Sequence, residues 1–325
     1  MIRSIIYKLR FLISGKFRKR KIHPRARVGV VSTMPRSGTV YNKYFFHFYD
    51  QLLLGRNSKE IVEEILTNSF PTNSINDYGA TIGIDAFTLT HFNCPAFNSY
   101  KGKHLKPWKA LNDWGGEKSG FDIGGGLIKS NEVMVDPSHN PQSRIVYIYR
   151  NPLDQAVSFF HHTQNQRNIK YYTDALGNEF SFSSSSVKDY FLAAGLDAYI
   201  KQFFTFYAIK SLFPDNIFML TYEALMRNPK DHFGKMLKYF GHDPDTLESG
   251  TYFNEALQLA SRDSMKNIEG KMGRSLSDDQ DPTHRHIRDS RTGKWREHFN
   301  DEVLKEIEQR LAHFDLSLYQ FDLDI

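Results

Sequence analysis

The sequence predicts a three-layer α/β protein in which a central, mainly parallel β-sheet carries helices on both faces. From residue 27 onward, short apolar runs alternate with amphipathic stretches, and this alternation is typical of βαβ units. The chain has 325 residues, 40% hydrophobic and 24% charged, which suffices for one large core and argues against intrinsic disorder. Its single cysteine, Cys94, excludes an internal disulfide and a cysteine-based zinc site.

The first βα unit is the clearest. Residues 28–32 are a Val-rich run that predicts a buried strand, residues 34–38 are turn-prone, and residues 39–54 carry aromatic side chains at helical spacing. The same criteria predict further strands at 87–92, 144–149 and 216–222 and further helices at 190–212, 229–240 and 301–314.

The remaining segments are less regular. Residues 93–128 are rich in Gly, Lys and Trp without a clear period, and we interpret them as an insertion or lid. Residues 181–186 form a polar run that predicts a loop leading into the next helix. We therefore expect a single domain over residues 27–325, preceded by a separate segment over residues 1–26.

The N-terminal segment is strongly basic. Residues 1–27 hold ten of the 42 Lys and Arg and none of the 37 acidic residues, so the remainder carries 32 cations against 37 anions. Such a body is not expected to bind nucleic acid. Residues 2–13 predict an amphipathic helix, too short and too charged to span a membrane. Two interpretations stay open for a cytoplasmic protein: peripheral membrane contact through residues 1–21, or docking on the body.

One turn predicts an anion site. Pro35-Arg36-Ser37-Gly38-Thr39 lies between a buried strand and a helix, where backbone N–H groups and the helix dipole favour an anion. Gly38 permits close approach of a ligand, Ser37 and Thr39 add hydroxyl groups, and Arg36 supplies a cation. The turn is not a Walker A loop, because the Gly-x4-Gly-Lys-Ser/Thr order is missing, and with it the Lys and the magnesium-binding hydroxyl at their required positions.

A second turn has the same character. Arg150 follows the strand at 144–149, at the end where α/β sheets bind ligands, and Ser158 lies about two turns into the following helix. A strand-end cation, where nucleotide hydrolases carry an acid for magnesium, favours direct phosphate binding without a metal. A helix-start ion pair of Arg150 with Asp154 is the structural alternative. Residues 288–295 form a third basic loop, just before the last helix.

These motifs resemble the sulfotransferases that use 3′-phosphoadenosine 5′-phosphosulfate, the cytosolic type and its bacterial relatives. The turn at Arg36 looks like the loop for the 5′-phosphosulfate, although the cytosolic branch usually has Lys there. The segment from Arg150 to Ser158 looks like the 3′-phosphate motif. Residues 288–295 depart from the family segment at Asp289 and Ser290, which leaves Arg288 as the residue carried over.

The resemblance implies a P-loop-like fold, transfer of a sulfuryl group to a hydroxyl or amine, and 3′-phosphoadenosine 5′-phosphosulfate as donor. It places Tyr222 near the adenine and Ser261 near a further nucleotide contact. The donor-binding residues that it implies are Arg36, Ser37, Gly38, Thr39, Val40, Arg150, Ser158, Tyr222, Ser261 and Arg288.

The catalytic base is less clear from the sequence. In the family it is typically a His at a strand end, and His91 closes the predicted strand at 87–92. Residues 128–131 fit the local family pattern better, but there Asn131 stands where the His belongs, and Asn cannot act as a base. We favour His91, with Arg36 and Lys129 as catalytic cations and Glu132 as an alternative base.

Two other functions remain open: a nucleotide phosphotransferase on a related fold, and a non-catalytic nucleotide-binding module. The missing Walker lysine and strand-end acid argue against the first. The acceptor is also open, because glycans, lipids, phenols and alcohols all fit the reaction. The histidines lack the spacing of a recognisable metal site, so no metal is expected.

Overall fold

The structure is a computed structural model. It describes residues 27–68, 82, 84, 86–91, 141–164, 171–173, 178–273, 293–313 and 316–318. The predictions for residues 1–26 and 93–128 therefore lie outside the described residues, as do those for Cys94, Lys129, Glu132 and Arg288. The division of the chain at residue 27 stays a prediction.

A parallel sheet forms the centre of the described structure. Its strands run in the order β2-β1-β3-β6, and every neighbouring pair is parallel. A separate antiparallel hairpin joins β4 to β5. The strands are β1 (Val28–Thr33), β2 (Ala86–His91), β3 (Arg144–Tyr149), β4 (Tyr171–Thr173), β5 (Glu179–Ser181) and β6 (Ile217–Thr221).

Helices follow or precede the strands along the chain. They are α1 (Thr39–Leu53), α2 (Ser58–Asn68), α3 (Pro152–Gln164), α4 (Val187–Tyr190), α5 (Leu196–Leu212), α6 (Tyr222–Arg227), α7 (Pro229–Tyr239), α8 (Leu247–Leu259), α9 (Arg262–Met272) and α10 (Asp301–Ala312). Shorter helical pieces are a π-helical turn (Phe191–Gly195) and two 3-10 turns (Pro214–Asn216, Lys294–Glu297). In this part of the chain, no helix is both long and apolar enough to cross a membrane.

The alternation of side chains along β3 shows why the fold has three layers. Ile145 and Tyr147 belong to one buried cluster, which includes Ile307 of α10, while Val146 and Ile148 belong to the other. The second cluster includes aromatic residues of α1 and α7, such as the stacked pair Phe45 and Phe233 with centroids 3.7 Å apart. Because strands buried on both faces need apolar residues throughout, the continuous apolar runs in the sequence are explained. The predicted three-layer α/β fold is confirmed.

The predicted strands are confirmed to within one residue at each end, and β3 has the predicted bounds. The helix predicted at 190–212 is wrong in its start and its uniformity, because it begins at Val187 and contains the π-helical turn. Ser186 and Asp189 form a capping box: Ser186 Oγ accepts the Asp189 N–H, and the Asp189 carboxylate accepts the Ser186 N–H. Residues 182–186 form the predicted loop.

Candidate active site

The turn between β1 and α1 has a backbone that ordinary residues rarely adopt. Gly38 precedes α1 with φ 85°, and Arg36 has φ 68° although it carries a side chain. A residue held in such a region costs about 1 to 3 kcal/mol and persists only where its surroundings hold it. This turn is therefore a candidate ligand-binding element on the basis of an observed strain.

The start of α1 offers hydrogen-bond donors to an anion. Among the described residues no side chain caps the helix at Gly38, and the first N–H groups of a helix have no intrahelical acceptor. Ser37 is fully buried, and its Oγ has no hydrogen-bond partner in the described part of the chain. Thr39 Oγ1 lies 2.6 Å from Thr33 Oγ1, at the end of β1. With the helix dipole, this arrangement suits a phosphate or sulfate group.

The turn between β3 and α3 is held by side-chain hydrogen bonds instead. Asn151 Oδ1 accepts the N–H groups of Leu153 at 2.9 Å and Asp154 at 3.3 Å, so it caps α3. Tyr199 Oη donates to the carbonyl oxygen of Arg150 at 2.7 Å. Arg150 is thereby held at the end of β3 and is only 7% exposed.

The two turns meet at the carboxyl edge of the sheet, because β1 and β3 are parallel neighbours. Arg36 Nε donates to Ser158 Oγ at 3.3 Å, and Arg150 Nη1 donates to the carbonyl oxygen of Arg36 at 3.3 Å. Gln155 Nε2 donates to the carbonyl oxygen of Pro35 at 3.2 Å. The structure thus brings Arg36, Arg150 and Ser158 into one site. Their assignment to particular phosphates stays a prediction.

Tyr222, the first residue of α6, lies between the two turns. A Cβ added to Gly38 would lie 2.9 Å from two ring carbons of Tyr222, so this position needs glycine for space as well as for its positive φ. Arg150 Cζ lies 4.9 Å from the centroid of the same ring, within the range of a cation–π contact. The ring therefore packs against both elements of the site.

Glu223 supports Arg150 from within the protein. Its Oε1 accepts the N–H of Asn151 at 3.2 Å and lies 3.7 Å from Arg150 Nε, outside hydrogen-bond distance. Burial raises the pKa of Glu223 to about 7, against the lowering effect of its own backbone N–H, of Arg150 and of Asn151, while the charge of Asp154 adds to the rise. The carboxyl is consequently poised between its charged and neutral forms at neutral pH.

Three guanidinium groups act on the Tyr222 phenol. Burial raises its pKa most, and the charges of Arg150, Arg36 and Arg262 oppose that rise, while Glu223 adds to it. Arg36 and Arg150 also meet directly, since Arg150 Nη1 donates to the carbonyl oxygen of Arg36, so two cationic residues converge at this edge of the sheet. Anionic ligands are favoured at such a place.

Three other predicted residues lie at the end of β2, in the first turn of α1 and at the start of α9. His91 ends β2 and stands in register with Thr33 of β1, the last residue before the Arg36 turn. Val40 lies in the first turn of α1 and is half-buried. Ser261 is the N-cap of α9, and its Oγ accepts the Ser264 N–H at 3.4 Å. In the described residues, no cluster of His, Cys, Asp or Glu is suited to hold a metal ion.

Sequence reasoning missed several supporting residues. Gln155 donates to the carbonyl oxygen of Pro35 in the first turn, and Glu223 accepts the N–H of Asn151 in the second. The charge of Arg262 acts on the Tyr222 phenol. Arg262 directly follows the predicted contact Ser261, so its position was a usable signal. Nothing in the local pattern indicates which backbone groups Gln155 and Glu223 bind, because those partners are 120 and 72 residues away.

Comparisons with known proteins indicate one family. Residues 129–314 match the family model described as sulfotransferase domain. The chain is 20% identical over 182 residues to cytosolic sulfotransferase 16 of Arabidopsis thaliana, covering 55% of this chain and 52% of that protein. It is 22% identical over 169 residues to flavonol 4′-sulfotransferase of Flaveria chlorifolia, covering 51% of each. The chain thus spans about half the length of the curated relatives it matches.

The fold also has a counterpart among solved structures. The crystal structure of retinol dehydratase in complex with androsterone and the inactive cofactor PAP superimposes with a TM-score of 0.50. It covers 97% of this chain and 87% of that chain at 16% sequence identity. At that identity the likeness concerns the fold alone.

Proposed function

Because this chain belongs to the sulfotransferase family, we propose that it transfers a sulfuryl group from 3′-phosphoadenosine 5′-phosphosulfate to an acceptor hydroxyl or amine. One observation carries the proposal: the hydrogen bonds among Arg36, Arg150 and Ser158 unite two cationic turns at one sheet edge. A donor with two anionic groups on one ribose requires two such turns. A nucleotide phosphotransferase would also need a group to hold magnesium.

The residues present fit this donor. The Ser37 hydroxyl is buried and lacks a hydrogen-bond partner in the described part of the chain, as does Arg150 Nε. Buried polar atoms are normally hydrogen-bonded, so these two support the presence of a polar ligand in the functional state. The donor, when bound, supplies the activated sulfuryl group. The chain supplies the cations and N–H groups that hold the donor's anionic ends.

Each residue then has a defined role. Arg36 and the backbone from Ser37 to Val40 bind the 5′-phosphosulfate, where positive charge stabilises the charge that develops as the sulfuryl group leaves. Arg150 and Ser158 bind the 3′-phosphate. His91 removes the acceptor proton, which its position beside Thr33 supports. Lys129, Glu132 and Arg288 are proposed from the sequence alone.

The acceptor is proposed only as a class. A hydroxyl or amine on a glycan, lipid, phenol or alcohol satisfies the chemistry, and the stretch expected to line its pocket, residues 87–130, is largely outside the described residues. Retinol dehydratase was crystallised with androsterone, which makes apolar alcohols a reasonable first set to assay. Membrane contact through residues 1–21 is likewise proposed from the sequence.

Two arginines at opposite ends of β3 provide a matched test. We expect Arg150→Gln to weaken binding of 3′-phosphoadenosine 5′-phosphate by about 10-fold to 100-fold, because a hydrogen-bonded charge contributes roughly 1.5 to 3 kcal/mol. Arg144→Gln should bind like the wild type, because Arg144 donates to the carbonyl oxygens of Pro141 and Ser143 at the amino end of the strand. Isothermal titration calorimetry measures both affinities.

Two further measurements complete that test. Magnesium–ATP should bind more weakly than 3′-phosphoadenosine 5′-phosphate, and tighter binding of magnesium–ATP would favour a phosphotransferase. Radiolabelled donor should transfer its sulfuryl group to at least one member of an acceptor panel. Nucleotide binding without transfer to any acceptor would instead favour a non-catalytic module.

A further inference from the structure

Asp154 is a buried carboxylate that the proposed reaction does not use. It lies in the first turn of α3 and is only 3% exposed. Its Oδ2 accepts the N–H of Gly293 at 2.7 Å, and its Oδ1 accepts the N–H of Trp295 at 3.3 Å. Burial of a charge is costly unless hydrogen bonds compensate it, so each oxygen is satisfied by the backbone of one distant segment.

The segment that Asp154 binds has a well-defined conformation. Gly293 has φ 85° and is the N-cap of the 3-10 turn Lys294–Glu297. A Cβ on Gly293 would lie 2.7 Å from the guanidinium of Arg296, whose Cζ lies 4.5 Å from the Trp295 ring. Trp295 is buried in the same apolar cluster as Leu153 of α3. The segment is thus anchored independently in the core and can serve as a fixed point for α3.

Asp154 also connects to the anion site through its own helix turn. Its N–H donates to Asn151 Oδ1 at 3.3 Å, directly after Arg150. Ser158 lies four residues later, on the same face of α3, and contacts Arg36. Gln155, the residue directly after Asp154, donates a hydrogen bond from Nε2 to the carbonyl oxygen of Pro35. A shift of this turn would therefore move both halves of the site at once.

We propose that Asp154 is a positioning residue, which fixes the first turn of α3 to the segment Gly293–Trp295 and thereby sets the geometry of the Arg36–Arg150–Ser158 anion site. This proposal rests on the proposed function. Asp154 touches no ligand in it. Its negative charge beside an anion site is by itself unfavourable for anion binding.

Asp154→Asn tests this role. It keeps the size of the side chain but removes its charge and one of its two hydrogen-bond acceptors. An amide oxygen can accept one of the two N–H groups, but the amide nitrogen is a donor and meets the other N–H unfavourably. We expect a 5-fold to 20-fold weaker affinity for 3′-phosphoadenosine 5′-phosphate by calorimetry. This is less than the loss of a charged hydrogen bond to the ligand itself, because Asp154 acts on the site only through the position of α3. Hydrogen exchange should accelerate at the Gly293 and Trp295 amides.

Ile307→Val is the control, because Ile307 of α10 belongs to the same apolar cluster as Trp295 and lies outside the site. It should lower Tm by a few degrees, like Asp154→Asn, without changing nucleotide affinity. An unchanged or tighter affinity in Asp154→Asn would overturn the proposal, as would equal losses of affinity in both variants. If the wild type itself binds no nucleotide, the proposed function has failed instead.

Discussion

The turns that follow β1 and β3 occupy equivalent places in the sheet but are built differently. After β1, Arg36 and Gly38 adopt positive φ values, and no side chain among the described residues caps α1. After β3, Asn151 caps α3 and Glu223 and Asp154 hold the turn through buried carboxylates. The first turn therefore presents its backbone to an anion, whereas the second has used its backbone donors and presents side chains.

The two turns therefore contribute different kinds of group to one site. The first turn is a backbone cradle formed by residues 35–39. It depends on a glycine and on a strained backbone, which the second turn holds in place by donating hydrogen bonds to the carbonyl oxygens of Pro35 and Arg36. The second turn depends on charged side chains instead. One of them, Glu223, has a pKa of about 7, so the support that it gives changes with pH. Changes to backbone freedom should damage the first turn most, and changes to charge or capping should damage the second.

The largest effect is expected at Gly38. Gly38→Ala introduces a Cβ at 2.9 Å from the Tyr222 ring and strains a backbone at φ 85°. We expect loss of about 3 kcal/mol in nucleotide binding, or about 100-fold in Kd, as the cradle opens. Calorimetry with 3′-phosphoadenosine 5′-phosphate measures this directly.

Gly55→Ala is its matched control. Gly55 has φ 80°, but a Cβ there would meet no atom within 4 Å. It should therefore cost only the strain of about 1 to 2 kcal/mol in stability and leave nucleotide affinity unchanged. Equal nucleotide affinity in the two variants would show that the space at Gly38 is not part of the anion site.

A pH-dependent effect of intermediate size is expected at Glu223. Its pKa of about 7 exceeds the ordinary 4.5, so the folded state binds this proton more tightly than the unfolded state. The carboxyl therefore makes the wild type less stable as pH rises from about 5 to 8, by about 2 to 3 kcal/mol. Glu223→Gln does not titrate, so its stability relative to the wild type should rise by that amount.

Urea unfolding at pH 5, 6, 7 and 8 measures this difference. The sign is the informative result: a difference that falls with rising pH would mean that Arg150 holds Glu223 charged in the folded protein. Arg150 and Glu223 would then form a tight ion pair, unlike the 3.7 Å separation between Arg150 Nε and Glu223 Oε1 seen here.

The smallest effect is expected at the helix cap. Asn151→Ala removes the acceptor for the Leu153 and Asp154 N–H groups and should cost about 1 kcal/mol in stability. Asn300→Ala should cost a similar amount, because Asn300 Oδ1 accepts the Val303 N–H at 3.1 Å at the start of α10. Only Asn151→Ala should also weaken nucleotide binding, by a few-fold in calorimetry. Equal binding would limit Asn151 to a structural role.

Much of the architecture could be predicted because it depends on local pattern. β3 has the predicted bounds, since a continuous apolar run bounded by polar residues leaves little choice for a strand buried on both faces. The proximity of Arg36 and Arg150 followed from topology, because the carboxyl ends of parallel neighbours share an edge. The start of α4 was missed, although the Ser186-x-x-Asp189 capping box was visible in the sequence.

The apolar periodicity and the order of strand, turn and helix were sufficient to establish the three-layer fold and the two turns that carry Arg36 and Arg150. Tertiary structure alone decided that Arg36 contacts Ser158, that Tyr222 closes over Gly38, and that Asp154 binds the backbone at Gly293. The physical reason is range. Propensity and periodicity act over a few residues, whereas a buried polar atom takes whichever partner the packed fold brings within about 3 Å.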